Sequence, residues 1–476
     1  MNARMLIEKT EKMNVLLFRN NNKIWYKAPK GALGPDMKDL LKKHKSEILR
    51  LIPAKPAIIQ PDRERPFVIH HNDCLEVMKQ MPDNTIDCII TDPPYGLKFM
   101  GKDWDRAIPD VGIWQECLRI LKPGAFAFIM SAPRQDLQAR MIINIEKAGF
   151  KTGFSPLYWT YATGFTKRHD ISKAVDKALG VEQEILQRNP NSRENCNKSN
   201  TIYESGTVGK TAYITNPKTE QAKKLKGAYA GFQPKPAVEV ILVAMKPLAK
   251  KSYTAQAMEN GKGVTWQDDC QIPYAQKERG KKSETSSRVP ANLLVSGEVL
   301  DDGIVRDGGY FPAKRGRSEY FGLGELRSKR SGRIKDNGKY SKFFSLDAWT
   351  FQNLPFLITS KPSEKEKKTG LESFEEKIIL GRDFGQDQRN NPYKIRPVKR
   401  HNLHPTVKPI ALMAYLVTLG SREGDLVLDP FFGTGTTGIA SVILNRRSVG
   451  IEIDEHYCKI AEARMHHYQQ EMARMK

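Results

Sequence analysis

The run LVLDPFFGTGTTG, Leu426 to Gly438, reads as a short apolar strand, a glycine-rich turn and the start of a helix. A second apolar run, SVGIEID from Ser448 to Asp454, follows after a helix-length interval and carries Glu452. Gly433, Gly435 and Gly438 fit the pattern GxGxxG with an acid about 20 residues further on. Strand, tight turn, helix, strand is the repeating unit of a parallel α/β sheet, whose ligands sit at the carboxyl edge of the strands. The motif lies near the C-terminal end of a chain of 476 residues, so the rest of the sheet must come from upstream.

Working upstream, period and composition predict strands at Phe67–His70, Ile86–Thr91, Ala125–Met130, Gly153–Tyr161 and Val238–Met245. Helices are predicted at Cys74–Gln80, Val111–Leu121 and Gln135–Lys147, and from Pro409 to Leu419 ahead of the strand Asp425–Asp429. The fold class is therefore α/β with a mostly parallel sheet.

TDPPYG, Thr91 to Gly96, follows the apolar strand directly and so occupies a strand's carboxyl end. The residue types suit one chemistry. An exocyclic base amine is a poor nucleophile because its lone pair is delocalised into the ring. The Asp92 carboxylate and the Pro93 carbonyl can both accept hydrogen bonds from such an NH2, which turns the lone pair towards a sulfonium methyl. Pro93 and Pro94 hold that carbonyl rigidly, a form of preorganisation. Tyr95 offers a ring face to an extruded base. Transfer would be a direct in-line displacement without a metal or a covalent enzyme intermediate.

The glycine motif alone does not separate S-adenosylmethionine from NAD, and an NAD-dependent oxidoreductase is the rival. Asp429, at its strand end, suits a cationic ammonium better than a pyrophosphate, and the DPPY run has no role in hydride transfer. Glu452 would bond ribose hydroxyls in either case. No Walker A lysine follows the glycines, which disfavours ATP hydrolysis.

Bulk properties agree with a polyanionic partner. The net charge is +23 and the pI about 9.6, as expected where Lys and Arg replace counterions around phosphates. The mean hydropathy of −0.54 points to polar insertions around an ordinary core. Six scattered cysteines show no CxxC pair or Cys/His ligand spacing, so neither structural zinc nor a disulfide framework is expected. No apolar run approaches membrane-spanning length and the N-terminus lacks a signal core, which makes a bacterial cytoplasm, or that of a phage host, the expected location.

With both motifs placed, the chain resembles the β-class DNA amino-methyltransferases, the DNA N-4/N-6 methylases common in phages and prophages and in restriction-modification systems. In that class too the catalytic motif precedes the glycine motif. The resemblance covers about residues 67–166, 234–300 and 355–470. It implies a Rossmann-like, circularly permuted fold with seven strands, one of them antiparallel, and S-adenosyl-L-methionine as cofactor. NDCLEVM (Asn72 to Met78) resembles the segment whose Asp, here Asp73, contacts the cofactor adenine. LYWTYATGFTK (Leu157 to Lys167) resembles the strand whose aromatics, here Trp159 and Tyr161 beside Tyr95, flank the target base. HPTVKP (His404 to Pro409) is similar to the element in which Thr406 and Lys408 would serve the methionine carboxylate. The remaining cofactor contacts implied are Asp92, Asp429, Pro430, Phe431, Phe432, Gly433, Thr434, Gly435, Thr436, Thr437 and Glu452. The resemblance favours adenine N6, because cytosine-N4 enzymes more often carry Ser in place of Asp92; cytosine N4 is the alternative. A decayed nucleic-acid-binding protein is a further one, opposed by the intact Asp92, Tyr95, Asp429 and Glu452.

The expected organisation is a small α+β module at 1–55, a proline-bearing linker at 56–66, the catalytic half of the core at 67–161, a polar insertion at 162–235, a core strand at 236–247, a basic target-recognition region at 248–400 and the cofactor half at 401–476. In the basic region Arg315, Arg317, Arg327, Lys329, Arg330 and Arg333 alternate with aromatics and are the candidate contacts to double-stranded DNA. In the N-terminal module Val15–Phe18 and Ile24–Tyr26 read as a hairpin, and the apolar residues from Met37 to Leu51 as one helical face. The stretch Ala28 to Leu49 resembles TubC-type docking domains, which implies a protein partner or a homodimer. Asp87 reads as a turn or edge residue, Asp103 and Asp105 as solvated loop acids, His404 as a helix-start residue and Ser363 to Lys368 as a solvated helix face.

Overall fold

The computed structural model describes residues 3–13, 15–20, 23–27, 33–51, 61–62, 64–97, 105–161, 169–188, 213–232, 237–273, 287–301, 340–354, 364–374, 377–382, 395–400, 402, 404 and 406–475. The six candidate DNA-contacting residues from Arg315 to Arg333 lie outside them, as does Asp103. The chain divides into two units, Met1–Gln60 and Pro61–Lys476.

In the first unit α1 (Ala3–Lys12) precedes the strands β1 (Leu16–Asn20) and β2 (Lys23–Lys27), followed by α2 (Pro35–Lys43) and α3 (Lys45–Leu51). The hairpin pairs antiparallel, Leu17 facing Tyr26. The single helical face expected from Met37 to Leu51 is broken into two helices at His44, and Leu51 is exposed. Breaking the helix lets Met37 and Leu41 converge with Ile48, Leu49, Leu6 and Leu17 on one small core.

The second unit runs β3 (Phe67–His71), α4 (Cys74–Met78), β4 (Cys88–Thr91), α5 (Val111–Ile120), β5 (Phe126–Ser131), α6 (Gln135–Lys147) and β6 (Leu157–Thr160). An inserted lobe then holds α7 (Ile171–Ala178), the antiparallel pair β7 (Glu184–Arg188) and β8 (Tyr213–Asn216), and α8 (Glu220–Lys224). It is more ordered than its polar composition suggests. Buried Asp176 ties it together, accepting from the Thr219 hydroxyl at 2.6 Å, the Gln183 amide at 3.0 Å and the Lys218 and Thr219 backbone N–H groups. The chain continues through β9 (Val238–Met245), α9 (Tyr253–Asn260), β10 (Ile272–Pro273), β11 (Ser287–Arg288), β12 (Leu293–Val295), α10 (Leu346–Asn353), α11 (Glu364–Lys368), β13 (Lys377–Arg382) and β14 (Ile395–Arg400). It closes with α12 (Ile410–Gly420), β15 (Leu426–Asp429), α13 (Thr436–Ile443), β16 (Arg447–Glu452) and α14 (Glu455–Met475).

Among the described residues eight strands, not seven, form the main sheet, in the order β12-β6-β9-β5-β4-β15-β16-β3. Among these strands β9 alone runs antiparallel to its neighbours, within the described residues. The additional strand is β12, which extends the edge beside β6, Leu294 opposite Trp159. It lies within residues 248–400, the stretch expected as a basic target-recognition region. Leu294 and Val295 of β12 are buried, and Trp349 of α10 packs edge-on against Tyr415 of α12 at 5.1 Å. The centre of the sheet follows from composition. Every residue of β4, β5 and β15 is buried, as expected of strands covered on both faces. Helix α12 is apolar all round and buried throughout, and its Gly420 leaves room for Phe128 and Cys88.

From β4 the chain moves to β5 on one side, whereas from β15 it moves to β16 on the other. The boundary between β4 and β15 is thus a topological switch point, where the diverging connections leave a crevice outside the carboxyl ends. TDPPYG follows β4 and DPFFGTG follows β15. Among the described residues no helix is long and apolar enough to cross a membrane.

Candidate active site

The crevice is a cavity of about 690 Å³, with Asp92 to Tyr95 on one wall and Asp429 to Thr434 on the other. The two walls are tied at their base. The Thr91 hydroxyl donates to Asp429 Oδ1 at 2.6 Å, and the Thr437 hydroxyl donates to Oδ2 at 2.7 Å. Burial raises the Asp429 pKa to about 7, against the opposing pull of those two hydroxyls and the Phe431 N–H.

The turn after β4 is held by a residue that sequence reasoning misplaced. Asp105 is buried, not solvated, and its Oδ1 accepts from the backbone N–H groups of Tyr95 at 2.7 Å and Gly96 at 2.8 Å. That staple fixes the backbone of the DPPY turn. Gly96 sits at φ +71°, and a Cβ there would press on the Ile108 amide at 3.2 Å.

Around Asp92 stands a compact charged cluster. The Tyr95 hydroxyl donates to Asp92 Oδ1 at 2.7 Å and lies 3.2 Å from Glu239 Oε2. Lys408 Nζ bonds Asp92 Oδ2 at 2.6 Å and lies 3.3 Å from Glu239 Oε2. The Tyr161 hydroxyl is 3.5 Å from Glu239 Oε1. Burial works against the Lys408 charge, but Asp92 and Glu239 outweigh it and raise its pKa. Burial also raises the Glu239 pKa and, with Asp92 and Glu239 nearby, lifts that of the Tyr95 phenol well above its usual value. Glu239 comes from the antiparallel strand β9, in an apolar run where one acid among Val, Ile and Leu carried no motif. Lys408 therefore meets the catalytic-motif carboxylate, whereas the resemblance assigned it to a methionine carboxylate.

On the opposite wall Glu452 accepts from the Gly433 N–H at 2.7 Å through Oε2, so it shapes the glycine turn as well as lining the cavity. Its pKa is raised by burial. Pro430, Phe431, Phe432, Gly433, Thr434, Thr436, Thr437 and Thr406 line the same space, but Gly435 does not. Gly435 adopts φ +82° at the helix start, and a Cβ there would meet Ala461 at 3.0 Å. Phe432 is mostly a plug, its ring pressed where Gly438 and Gly450 lack side chains. Buried Arg464 of α14 supports the turn from behind, donating to the Thr434 carbonyl at 2.5 Å. Asp73 lines the cavity and also caps α4, accepting from the Leu75 and Glu76 N–H groups. His404 belongs to the wall too, edge-on to Tyr457 at 4.7 Å, and burial lowers its pKa to about 4.

Trp159 does not reach the cavity. It is buried in the core with its indole N–H donating to Ser296 at 2.9 Å, so of the two aromatics assigned to the target base only Tyr161 lines the site. Two further acids also differ from expectation. Asp87 is buried and paired with Lys122 and Lys262. Glu366, expected on a solvated face, is buried and accepts from the Ile410 N–H at 2.9 Å, capping α12.

The cavity thus lies at the switch point of the sheet, with DPPY on one wall and a glycine turn with a strand-end acid on the other. Residues 86–463 match the family model described as DNA methylase (N6_N4_Mtase), and the chain belongs to that family. Residues 4–52 match the TubC N-terminal docking domain. A type II methyltransferase of Moraxella bovis, M2.MboI, is 36% identical over 86 residues, 17% of this chain and 32% of the relative. M2.DpnII of Streptococcus pneumoniae is 45% identical over 62 residues, 13% of this chain and 23% of the relative. These alignments thus span a third or less of the relatives' own lengths. Among solved structures, the cytosine-N4-specific PvuII DNA methyltransferase aligns over 86% of this chain and 94% of its own, at 12% identity and a TM-score of 0.37.

Proposed function

We propose that this protein transfers a methyl group from S-adenosyl-L-methionine to the exocyclic N6 amine of an adenine flipped out of double-stranded DNA. The observation that carries the proposal is the placement of Asp92 and Tyr95 across one cavity from Asp429, Glu452 and the glycine turn, at the switch point of the sheet. We also read the entry of β15 and β16 between β3 and β4 as the permuted strand order that the resemblance implied.

S-adenosylmethionine, when bound, supplies an electrophilic methyl on a cationic sulfur. Asp429 and Glu452 give its wall a negative character suited to that cation. The target amine donates to the Asp92 carboxylate and the Pro93 carbonyl, which draws its nitrogen towards tetrahedral geometry. Asp105 holds the turn, so the acceptors are in place before the base arrives. The Tyr95 ring lies beside them as a stacking face, and Tyr161 lines the same cavity. Double-stranded DNA would be gripped by the basic region that includes Arg315, Arg317, Arg327, Lys329, Arg330 and Arg333. The N-terminal unit would recruit a protein partner or a second copy of the chain.

The test is methyl transfer from labelled S-adenosylmethionine to unmethylated bacterial DNA, followed by digestion to nucleosides, with Asp92→Ala alongside. Label in N6-methyladenine that the variant loses is the expected result. Label in N4-methylcytosine would keep the mechanism and overturn the base, and no label on DNA would overturn the substrate.

A further inference from the structure

The charged cluster holds more carboxylate than the methyl acceptor needs. Asp92 alone can receive the amine, yet a second, partly buried acid, Glu239, stands on the far side of the Tyr95 hydroxyl. That hydroxyl is 2.7 Å from Asp92 Oδ1 and 3.2 Å from Glu239 Oε2, so one O–H group bridges two carboxylates. We propose that Glu239 is the terminal acceptor of the proton displaced from the amine, which it receives from Asp92 through the Tyr95 hydroxyl. The inference rests on the reading of this cleft as an amine methyltransferase site and adds a catalytic residue to it.

The step balances as follows. The amine lone pair forms the new N–C bond, and the S–C bond breaks with its electron pair left on sulfur as a neutral thioether. The nitrogen is then cationic and acidic, and gives one N–H proton to Asp92. Protonated Asp92 passes that proton to the Tyr95 oxygen as the Tyr95 O–H proton moves to Glu239 Oε2. Tyr95 ends unchanged, Asp92 is again a carboxylate able to accept the next amine, and Glu239 holds the proton until water removes it.

The surroundings favour this direction. Among the described residues four ionisable groups face Glu239: Asp92 after β4, Tyr95 in the same turn, Lys408 ahead of α12 and Tyr161 just after β6. Lys408 is already protonated and cannot accept. It bonds Asp92 Oδ2 at 2.6 Å and stands further from Glu239, at 3.3 Å. Burial separately raises the affinity of Glu239 for a proton. Tyr161 lies beside Glu239 on the cavity wall.

The full-length chain is assayed with S-adenosylmethionine and unmethylated DNA, comparing wild type with Tyr95→Phe, Glu239→Gln, the double variant and Glu239→Asp. Tyr95→Phe keeps the stacking ring and removes only the bridge. Each single variant is expected to lower kcat on the order of 10²-fold, the usual size of general-base assistance. Cofactor affinity and Tm should hold, and the double variant should be no slower than the slower single, because both break one relay. Glu239→Asp should recover part of the rate, and Glu239→Gln should lose the acidic limb of the pH–rate profile. Multiplicative losses in the double variant, an unchanged kcat in Glu239→Gln, or loss of cofactor binding in that variant would each overturn the relay while leaving the methyltransferase reading intact. A wild-type protein that transfers no methyl to DNA would overturn that reading, and the relay with it.

Discussion

Strand β4 is four residues long and has a cluster of acids and lysines at each end. At the amino end Asp87 Oδ1 meets Lys122 at 2.6 Å and Lys262 at 2.9 Å, its Oδ2 accepts from the Leu426 N–H, and Lys262 also bonds Asp425 at 2.8 Å. Two acids balance two lysines and the atoms are closed on one another. At the carboxyl end two acids, Asp92 and Glu239, share one lysine, and the cluster opens on a cavity of about 690 Å³. Similar residues therefore do opposite work. Matched charges with filled hydrogen bonds lock β4 to β15. Unmatched charge facing a cavity is a site that waits for donors from outside.

If that contrast holds, the two ends must fail differently. Asp92→Ala is expected to lower kcat for methyl transfer on the order of 10²–10³-fold or more, the scale of losing one preorganised electrostatic contact. Its Tm should stay within a few degrees, because the carboxylate faces the cavity. Equal losses in Tm and rate, from calorimetry and single-turnover assays on the same preparation, would break the contrast.

At the amino end Lys262→Met should do the reverse. Removing one partner from a buried pair leaves uncompensated charge, here on Asp87 and Asp425, at a cost of about 3 kcal/mol. Urea unfolding should show that loss, while kcat per folded molecule at low temperature stays within about twofold. The sign of its pH dependence follows from Asp87, whose pKa is lowered because Lys262 and Lys122 overcome the effect of burial. An acid with a depressed native pKa contributes stability that is present above its unfolded value and lost as the pH falls through the native one. Acid should therefore destabilise the wild type more than the variant.

The same contrast explains what was legible in the sequence. Contiguous features were readable: the apolar runs of β4, β5, β15 and β9, the DPPY turn and the glycine turn all depend on neighbours in the chain. Features assembled by the fold were not. Glu239 is brought to Asp92 because β9 runs antiparallel beside β5, and nothing local to EVILVAM says that its acid faces a cavity. Asp105 acts on a backbone N–H ten positions upstream, and Glu366 caps a helix 44 residues on. Strand β12 is only three residues long and gains its place from pairing with β6. Asp87 illustrates the same limit, since its lysine partners lie 35 and 175 positions away along the chain.

Asp429 sharpens the comparison through pH. Its pKa of about 7 stands above the ordinary 3.8 because burial penalises the charge. Between those values the folded protein binds a proton that the unfolded chain has released, so this group makes the free protein less stable as the pH rises through that window. A cationic cofactor would prefer the carboxylate. Its affinity is expected to fall by up to about tenfold per pH unit below 7 and to level off above it. Titration calorimetry at pH 5.5 to 8.5 checks this, and Asp429→Asn should flatten the dependence. A pH-independent affinity in the wild type would mean that the cation is held elsewhere.

The smallest expected effect tests where the cleft ends. Trp159 and Tyr161 stand two positions apart with rings 4.8 Å from one another, so sequence spacing treats them alike. Only Tyr161 lines the cavity, and the Trp159 indole is committed to Ser296 in the core. Trp159→Phe should therefore cost about 1 kcal/mol of stability, the worth of one buried hydrogen bond, and leave kcat and DNA affinity within about twofold. Tyr161→Ala should instead weaken binding of DNA carrying an unpaired target base, by the roughly 1–3 kcal/mol of a lost base–aromatic stack. If Trp159→Phe changed DNA affinity and Tyr161→Ala did not, the wall of the site would have to be redrawn through the core of the sheet.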